Sequence, residues 1–473
     1  MGQTTPINIG SNSYVMRSGL ASAERLVNCY VEPAPQDSPF QNMLIGTAGL
    51  IVWKDLNIGF PIYEMEVMGE NLYVVAGNNV YKIDSVKTVT FIGTIPIEPS
   101  RVMMTNNGTQ VTILTDTGTA YYCTSSASSL TQITDGDFLS SDSITTLDGY
   151  TISTKKQGRT FQFSDLNATQ NWQALNTQTV EADSSNIVRA AINNLEVWFF
   201  KENIIEVYYD SARPNYIFDR KDGIFIQKGC AAKYSIASID NSFFFLGSDK
   251  LIYMTSGYQL IPISTYPIAQ EIETYTTISD AFGFCYILNG HKFYNITFPS
   301  ENKTWQYNTT TQRWHERESI NSRQQNGMWR ANCHAFYKGL NLFGDFETGV
   351  IYQASDTYTE NGTPILRKAV SSTQFANYSR ASLDRLVLMM NTGVGLVTGQ
   401  GSDPKIMLRV STDGGKTWGY EETQPIGSQG DYLQEVFWTS LGYGRTFIIE
   451  ITVSDPIQFA IVGAYINSTI GDA

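Results

Sequence analysis

Charged side chains are scarce in this sequence: Asp, Glu, Lys and Arg make up 16 % of its 473 residues, against roughly 25 % in an average soluble protein. Ser, Thr, Asn, Gln and Gly take their place. Surface helices need many Glu and Lys residues, so this composition disfavours a mostly helical protein. An aromatic content of 12 %, with 38 Gly and 15 Pro, favours strands and turns. The sequence therefore predicts an all-β protein.

Positive charge is also in deficit, because 32 Lys and Arg residues face 45 Asp and Glu residues and give a net charge of −13. A protein that holds the phosphate backbone over its whole surface needs the opposite balance, so a repressor or a packaging motor is disfavoured. No apolar run approaches the roughly 18 residues of a membrane span, and no basic stretch followed by an apolar core marks a secretory signal. We expect a protein that folds in a cytosol and enters no membrane.

Side chains that hold metals or start covalent chemistry are few. The five cysteines form no CxxC pair, and only three histidines are present. The motifs of nucleotide-binding loops, serine hydrolases and zinc proteases are absent. Two close acidic pairs, Asp135 with Asp137 and Glu271 with Glu273, fit turns or strand edges better than the carboxylate pair of a glycosidase. We expect no catalytic residue, no cofactor and no metal site.

One pattern recurs along the middle of the chain: an apolar strand, a tight polar turn and a second alternating strand. Seven such hairpins begin near residues 72, 110, 150, 195, 242, 291 and 340, at intervals of 38 to 49 residues. A four-stranded propeller blade has that length. Each hairpin follows a short segment that we interpret as an innermost strand. The repeat predicts a β-propeller of six or seven blades over residues 61–365.

The repeat stops at both ends of the chain. Five strand-like segments separated by glycine-rich turns predict a β-sandwich-like domain over residues 366–473. Residues 1–60 are rich in Asn, Ser and Pro, so we interpret them as an N-terminal extended arm with closure strands. Segment 24–33 (ERLVNCYVEP) fits two interpretations: an arm that lies along a neighbouring molecule, or a strand that closes the chain's own fold.

The sharpest local motif is an Asp box, S-x-D-x-G-x-T-W, whose members are Ser411, Asp413, Gly415, Thr417 and Trp418. We predict a structural hairpin: the aspartate accepts backbone N–H bonds, the glycine adopts the left-handed conformation, and the tryptophan plugs the sheet beneath. Sialidases carry several such boxes on a propeller. An alternative function is therefore a propeller glycan-binding protein or a glycoside hydrolase of sialidase-like build.

Basic residues form three weak clusters, at residues 155–159, 213–221 and 313–330. The last cluster alternates with aromatic residues, as a groove for single-stranded nucleic acid would. Because the clusters fall on different predicted blades, we interpret them instead as solvated loops that meet an acidic partner across a broad interface.

Both ends of the chain resemble one protein family. The likeness lies in four stretches: 25–32 (RLVNCYVE), 44–50 (LIGTAGL), 411–418 (STDGGKTW) and 438–456. They are similar to the packaged-DNA stabilisation proteins of short-tailed phages, which are also called tail hub or nozzle proteins. Ala48 departs from the proline that is usual in the family, and this departure touches only a turn.

The resemblance implies a non-enzymatic component of a virion tail that is assembled in the host cytoplasm. Six copies would form a ring beneath the portal adaptor, extend the DNA channel, help to retain packaged DNA and seat tail spikes or fibres. A separate needle or plug would close the channel, and double-stranded DNA would pass through the lumen without specific binding. Within this frame Arg25, Asn28, Tyr30 and Glu32 are candidate residues of an assembly arm.

Overall fold

Strands make up nearly all of the regular structure in the computed structural model of the protein, which describes residues 3–38, 40–96, 99–126, 129–213, 216–375 and 379–470. Within these ranges the helical segments are the α-helix Tyr266–Thr274 and the 3-10 turn Pro299–Glu301. No described helix is long and apolar enough to cross a bilayer. The prediction of an all-β protein is confirmed.

Seven antiparallel four-stranded units, named blades 1 to 7, follow one another along the chain, and each runs from its innermost to its outermost strand. Blade 1 consists of Ile62–Met68, Asn71–Ala76, Asn79–Ile83 and Val89–Thr94. Blade 2 consists of Val102–Asn106, Gln110–Thr115, Ala120–Thr124 and Thr131–Gln132. Blade 3 consists of Ser141–Leu147, Tyr150–Lys155, Thr160–Asp165 and Ala168–Thr179. Blade 4 consists of Ile187–Asn193, Glu196–Lys201, Ile205–Arg213 and Tyr216–Arg220.

The last blade takes its outermost strand from an earlier part of the chain. Blade 5 consists of Ala237–Ile239, Ser242–Leu246, Ile252–Ser256 and Gln259–Pro262. Blade 6 consists of Phe282–Leu288, His291–Phe298, Lys303–Asn308 and Arg313–Glu316. Blade 7 consists of Ala331–Tyr337, Leu340–Asp345, Val350–Ser355 and Gly49–Asp55, and its sheet continues into Thr359–Glu360 and Thr363–Pro364. A small hairpin, Glu318–Ile320 with Asn326–Met328, connects blades 6 and 7.

A ring of buried apolar clusters joins the blades, with one cluster between each pair of neighbours. The ring closes where Cys333 and Ala335 of blade 7 pack with Ile62 and Met65 of blade 1. Because a blade is covered on both faces, the second strand of blade 2, Gln110–Thr115, is buried at every position. The predicted propeller is confirmed, and its strand order gives seven blades.

The tight turns between blade strands use left-handed backbone. Asp148 and Gly149 connect the first two strands of blade 3, with φ values of 48° and 84°. Two successive positive φ angles are typical of a type I′ turn, whose twist matches that of the flanking strands. Glycine adopts this conformation without steric cost, and aspartate tolerates it.

Two layers of strands form a β-sandwich, and the second layer continues the sheet of blade 6. The strands of the first sheet are Gln3–Ile7, Cys29–Pro33, Asn42–Gly46, Ala381–Met390, Val436–Thr439, Tyr443–Gly444 and Ala460–Ile470. The strands of the second sheet are Tyr14–Val15, Ala23–Val27, Arg367–Val370, Gln374–Phe375, Lys405–Ser411, Glu422–Pro425 and Thr446–Val453. One buried core, which includes Leu26, Leu386, Trp438 and Ile449, lies between them.

The N-terminal residues differ from the extended arm that the sequence suggests. Gln3–Ile7 pairs with Ala460–Ile470, and Ala23–Val27 pairs with Arg367–Val370. Gly49–Asp55 is a closure strand, because it completes blade 7. The physical reason is burial: Leu26 belongs to the sandwich core and would be exposed on a free arm. The sandwich is therefore built from both ends of the chain.

Candidate functional site: the seam between propeller and sandwich

One sheet passes from the propeller into the sandwich. Val27 of the sandwich pairs in parallel with Glu316 on the outermost strand of blade 6. We call this place the seam and define it by Arg25, Asn28, Lys303, Glu316 and Glu318. The seam positions the two domains relative to each other, because backbone pairing and side-chain contacts cross it together.

Glu316 is the centre of the seam. Its carboxylate accepts hydrogen bonds from Arg25 Nε at 2.8 Å and Arg25 Nη2 at 2.7 Å, and Lys303 Nζ donates to it at 2.5 Å. The Glu316 side chain is 3 % exposed. Burial by itself would raise the pKa of Glu316, but the hydrogen bonds and charges of Arg25 and Lys303 outweigh it and lower the pKa. Glu316 is thus a buried, ionised carboxylate that depends on both cations.

Arg25 and Asn28 connect further segments to this centre. Arg25 Nη2 also donates to Glu318 Oε1 at 2.9 Å. Asn28 has a φ of 53°, in the left-handed region that asparagine tolerates. Its Nδ2 donates to the carbonyl oxygens of Glu318 and Leu366, both at 2.9 Å, and its Oδ1 accepts from Glu318 N at 3.0 Å. Because this buried amide uses both of its polar atoms, it fixes three segments at one point.

Tyr30 and Glu32 lie on the next sandwich strand and contact blade 6. The buried Tyr30 ring meets His291 and Phe293 edge-on, at centroid distances of 5.0 and 5.5 Å. Burial is the main cause that raises the pKa of Tyr30 to about 12. Glu32 Oε2 lies 3.7 Å from His291 Nε2. The four residues predicted for an assembly arm are therefore brought close to one internal contact of the chain, and any contact with another molecule stays a prediction.

A second buried carboxylate, that of Glu360, lies beside the seam and contacts several side chains of the segment that connects blades 6 and 7. Ser319 Oγ donates to it at 2.5 Å and Trp329 Nε1 at 3.0 Å. Arg317 Nη2 and Arg330 Nε lie 3.5 and 3.6 Å from its oxygens. Arg317 is 2 % exposed, so the interpretation of cluster 313–330 as solvated loops is wrong for these two arginines. The buried carboxylate explains their burial, because it needs positive partners.

The other basic clusters are also largely engaged within the chain. Lys156 Nζ donates to the carbonyl oxygens of Asp116 and Thr117, at 3.0 and 3.1 Å. Arg220 Nε lies 3.3 Å from Glu206. These contacts hold neighbouring turns and outer strands together, so the cations are not all available to an acidic partner.

The Asp box connects the sandwich strands Lys405–Ser411 and Glu422–Pro425, which pair as a hairpin. Asp413 Oδ1 accepts from the backbone N–H groups of Lys416 and Thr417, at 3.0 and 2.9 Å, and Oδ2 accepts from the Thr417 hydroxyl at 2.6 Å. The bonds from Thr417, and then the one from Ser411, hold the pKa of Asp413 well below its usual range. Gly415 has a φ of 83°. Every polar contact of this aspartate thus serves the turn.

Trp418 differs from the expected plug. It is only half-buried, and the Arg409 guanidinium lies 5.5 Å from its ring centroid. A different tryptophan, Trp438, belongs to the buried sandwich core: it is 1 % exposed, and its Nε1 donates to the carbonyl of Glu422 on the second hairpin strand at 3.3 Å. The hairpin therefore leaves its own tryptophan at the surface, covered on one side by an arginine.

The acidic pairs considered for glycoside chemistry form hydrogen bonds within the fold. Asp135 accepts from the N–H groups of Trp172 at 3.0 Å and Asp137 at 2.9 Å. These bonds, the one from Trp172 first, lower the pKa of Asp135. Asp137 accepts from Ala174 N at 3.1 Å, and Glu271 accepts from the Tyr275 hydroxyl at 3.0 Å. Over the described ranges no group of three or more His, Cys, Asp and Glu side chains is placed to hold a metal ion.

Exposed apolar side chains cluster at one end of the sandwich. We call Leu396, Val397, Tyr432 and Leu433 the loop-end patch; their exposed fractions are 41, 78, 72 and 93 %. The two loops that carry them are joined, because Thr392 Oγ1 donates to the Tyr432 carbonyl at 3.0 Å. Contiguous exposed apolar surface on a soluble protein commonly marks a contact with another macromolecule.

Three residues were missed by sequence reasoning: Glu316 and Lys303 in the seam, and Glu360 beside it. The stretch 313–318 (RWHERE) could have indicated buried charges, since it places charged residues beside aromatic residues in a predicted strand. Charged residues are rarely buried without a partner, but the partners of Glu316 and Glu360 come from other elements. Local spacing therefore gave no means of pairing them.

Two families match the chain. The family described as "Bacteriophage P22 Gp10, beta-propeller" matches residues 58–359, which is more than half of the chain. The family described as "Bacteriophage P22 Gp10, beta-sandwich" matches residues 368–469. No curated protein matches the chain.

Several solved structures are similar to part of the chain. The computationally designed Ika8 protein is 8 % identical over 65 % of this chain and 99 % of its own, with a TM-score of 0.40. A chain of the mitotic checkpoint complex is 12 % identical over 68 % of this chain and 98 % of its own, with a TM-score of 0.41. The WD40 β-propeller domain of Doa1 is 10 % identical over 65 % and 97 %, with a TM-score of 0.40. TM-scores of this size carry no argument about fold or function.

Proposed function

Since this chain belongs to the bacteriophage P22 Gp10 family and is a structural protein of a short phage tail, we propose that six copies form a hub beneath the portal adaptor. In this role the ring extends the DNA channel, helps to retain packaged DNA and seats tail spikes or fibres on its outside. A needle or plug closes the channel at its far end. The observation that carries the proposal is the match of both domains to this one family.

The seam supports a load-bearing role. A hub must transmit force between the head and the fibres without a hinge between its own domains. Here a continuous sheet and the buried Glu316 centre hold propeller and sandwich together. Backbone pairing combined with a desolvated ion pair resists rotation more than a flexible linker would.

The net negative charge of the chain supports the passage of DNA through a ring. Each chain carries a net charge of −13, so a ring of copies repels the phosphate backbone. Each neutralised phosphate would add a salt-dependent hold on the DNA. Duplex DNA therefore slides through the lumen without specific binding, and retention depends on a separate closure.

We place the contact between neighbouring subunits on the loop-end patch. An apolar surface of this kind gains stability when it is covered. The double variant Tyr432→Ser with Leu433→Ser should stay folded, because both side chains are exposed, but should no longer form rings. The matched control is Leu175→Ser on blade 3, where the leucine is 94 % exposed and lies outside the patch.

The deciding experiment mixes purified protein with phage heads that carry the adaptor but lack tails. Electron microscopy should show a hexameric ring on each head, and light scattering should give the stoichiometry. The parent protein and Leu175→Ser should attach and protect packaged DNA from nuclease, whereas the double variant should not. Attachment of monomers, or stable full heads without the protein, would contradict the hub role; ring formation by the double variant would contradict only the placement of the contact.

A further inference from the structure

A cavity of about 420 Å³ lies on the axis of the propeller, away from the seam and the loop-end patch. All seven innermost strands contribute to its lining. Ser238 borders the cavity and is an exposed residue, so the cavity connects to solvent at this side. The axis of a propeller is where its blades can present side chains to one common point.

Arg101 reaches the cavity from the segment before blade 2. Its guanidinium carbon lies 3.8 Å from the ring centroid of Phe282 on blade 6. Its Nη2 donates to Asn332 Oδ1 on blade 7 at 2.6 Å. These contacts come from neutral groups, and in the described part of the chain no carboxylate forms an ion pair with Arg101. Arg101 is therefore held in position by neutral groups, and the charge of Glu64 acts on it from beyond ion-pair distance.

Arg189 reaches the same cavity from blade 4. Its Nη1 donates to the carbonyl oxygens of Lys233 and Ile236, at 3.1 and 3.2 Å. Its Nε is buried and has no hydrogen-bond partner among the described residues. An unsatisfied donor on a charged group is costly, so this nitrogen marks a point where an acceptor would be stabilised.

The charge balance in the cavity favours one additional negative charge. Glu64 and Glu66 line the cavity together with the two arginines. Burial and the neighbouring charge of Glu64 raise the pKa of Glu66 to about 7, against the hydrogen bond from Asn106. Burial also raises the pKa of Glu64, although the charges of Arg101 and Arg189 oppose this effect. Near neutral pH the two arginines thus face two carboxyl groups whose pKa values are raised, and Glu66 is partly protonated. Positive charge is left over in a poorly solvated space, where electrostatic attraction is stronger than in water.

We propose that the axial cavity binds one small monovalent oxyanion, a carboxylate or a phosphate group, between the guanidinium groups of Arg101 and Arg189. Guanidinium presents planar, forked donors that match the oxygens of such groups. The ligand would satisfy Arg189 Nε and offset the surplus charge. This site is independent of the hub role, so either proposal can fail without the other.

Isothermal titration calorimetry of the full chain tests the site, with sodium acetate and sodium phosphate as separate probes at pH 6 in a buffer free of other oxyanions. We expect saturable binding at one site per chain. Binding of acetate alone identifies a carboxylate ligand, and binding of phosphate alone identifies a phosphate ligand. Absence of saturable binding for both probes overturns the proposal.

Three variants locate the binding. Arg189→Gln should weaken it roughly tenfold or more, because a charged hydrogen bond is lost. Glu64→Gln should tighten it, because a competing negative charge is removed without a change in size. Arg323→Gln is the control, since this arginine is exposed and lies on a loop between the strands of the small hairpin. If Arg189→Gln does not fold, Glu64→Gln still tests the site, because this variant is expected to bind the anion more tightly than the parent protein. Binding by Glu64→Gln that equals the binding of the control refutes the site.

Discussion

Replacement of Glu316 by Gln is expected to destabilise the protein by about 3 kcal/mol. Loss of one partner from a buried ion pair costs about 3–5 kcal/mol, because the other charge stays desolvated. The lower end applies here because each cation keeps another carboxylate: Arg25 lies 2.9 Å from Glu318, and Lys303 lies 3.6 Å from Glu271. Glutamine preserves the size of the side chain, so the loss reports charge and not packing.

Urea denaturation followed by tryptophan fluorescence and circular dichroism measures this loss. The matched control is Glu435→Gln, where the glutamate is 74 % exposed and lies 3.7 Å from Arg385. An exposed pair contributes at most about 1 kcal/mol. If Glu316→Gln loses no more stability than this control, the seam is not held by a buried ion pair and the reasoning fails.

The same variant has an expected pH dependence. The pKa of Glu316 is lowered in the folded protein from the ordinary value of 4.5. The contribution of the ionised carboxylate to folding stability is therefore fully present above pH 4.5. That contribution is lost as the pH falls through the folded-state pKa. The stability difference between parent and Glu316→Gln should therefore be full at pH 7 and shrink below pH 4.5; a difference that grows on acidification would contradict the sign.

Three other outcomes follow from the packing. Trp418→Ala should cost about 1–2 kcal/mol in urea denaturation, less than the about 3–5 kcal/mol expected for Trp314→Ala, because Trp418 is half-buried and Trp314 is 1 % exposed; equal losses would refute this. Glu66→Gln should stabilise the protein at pH 8 but not at pH 4. The pKa of Glu66 is raised to about 7 in the folded protein, so the contribution of this side chain to stability is present below pH 4.5 and is lost as the pH rises through 7. Thermal melts at both pH values test this prediction. Deletion of residues 1–24 should lower the melting temperature, because it removes the strand Gln3–Ile7 from its partner Ala460–Ile470; an unchanged melt would show that this pairing is dispensable.

The propeller could be predicted from sequence because its information is local. In the stretch 72–83 the two strands and their turn are contiguous, and Asn71–Ala76 pairs with Asn79–Ile83 as the alternation indicates. The Asp box is equally local, since every partner of Asp413 lies within four residues. Short-range patterns of this kind carry both the strands and their connection.

Of the two interpretations of segment 24–33, the structure agrees with the strand that closes the chain's own fold. The sequence could not decide between them, because the partners of these residues lie at distant positions in the chain. Arg25 contacts Glu316 across a separation of 291 residues. The half-burial of Trp418 was also out of reach, because the buried tryptophan that bonds to its hairpin, Trp438, comes from another strand. In each case the contacting residue is brought close by the tertiary fold, and the sequence around the first residue contains no pattern that identifies it.

The position of the final strand governs when this protein can fold. Ala460–Ile470 lies between Asn42–Gly46 and Ala381–Met390 in the first sandwich sheet, so the N-terminal strands lack this partner until residues 460–470 have been synthesised. At roughly 5–20 residues per second, synthesis of the residues between 46 and 460 takes about 20 to 80 seconds. During that time the early strands expose unpaired edges, which invite aggregation. Completion of the sandwich therefore requires synthesis through residue 470, and a chain that stops before residue 460 lacks a central strand of the sheet.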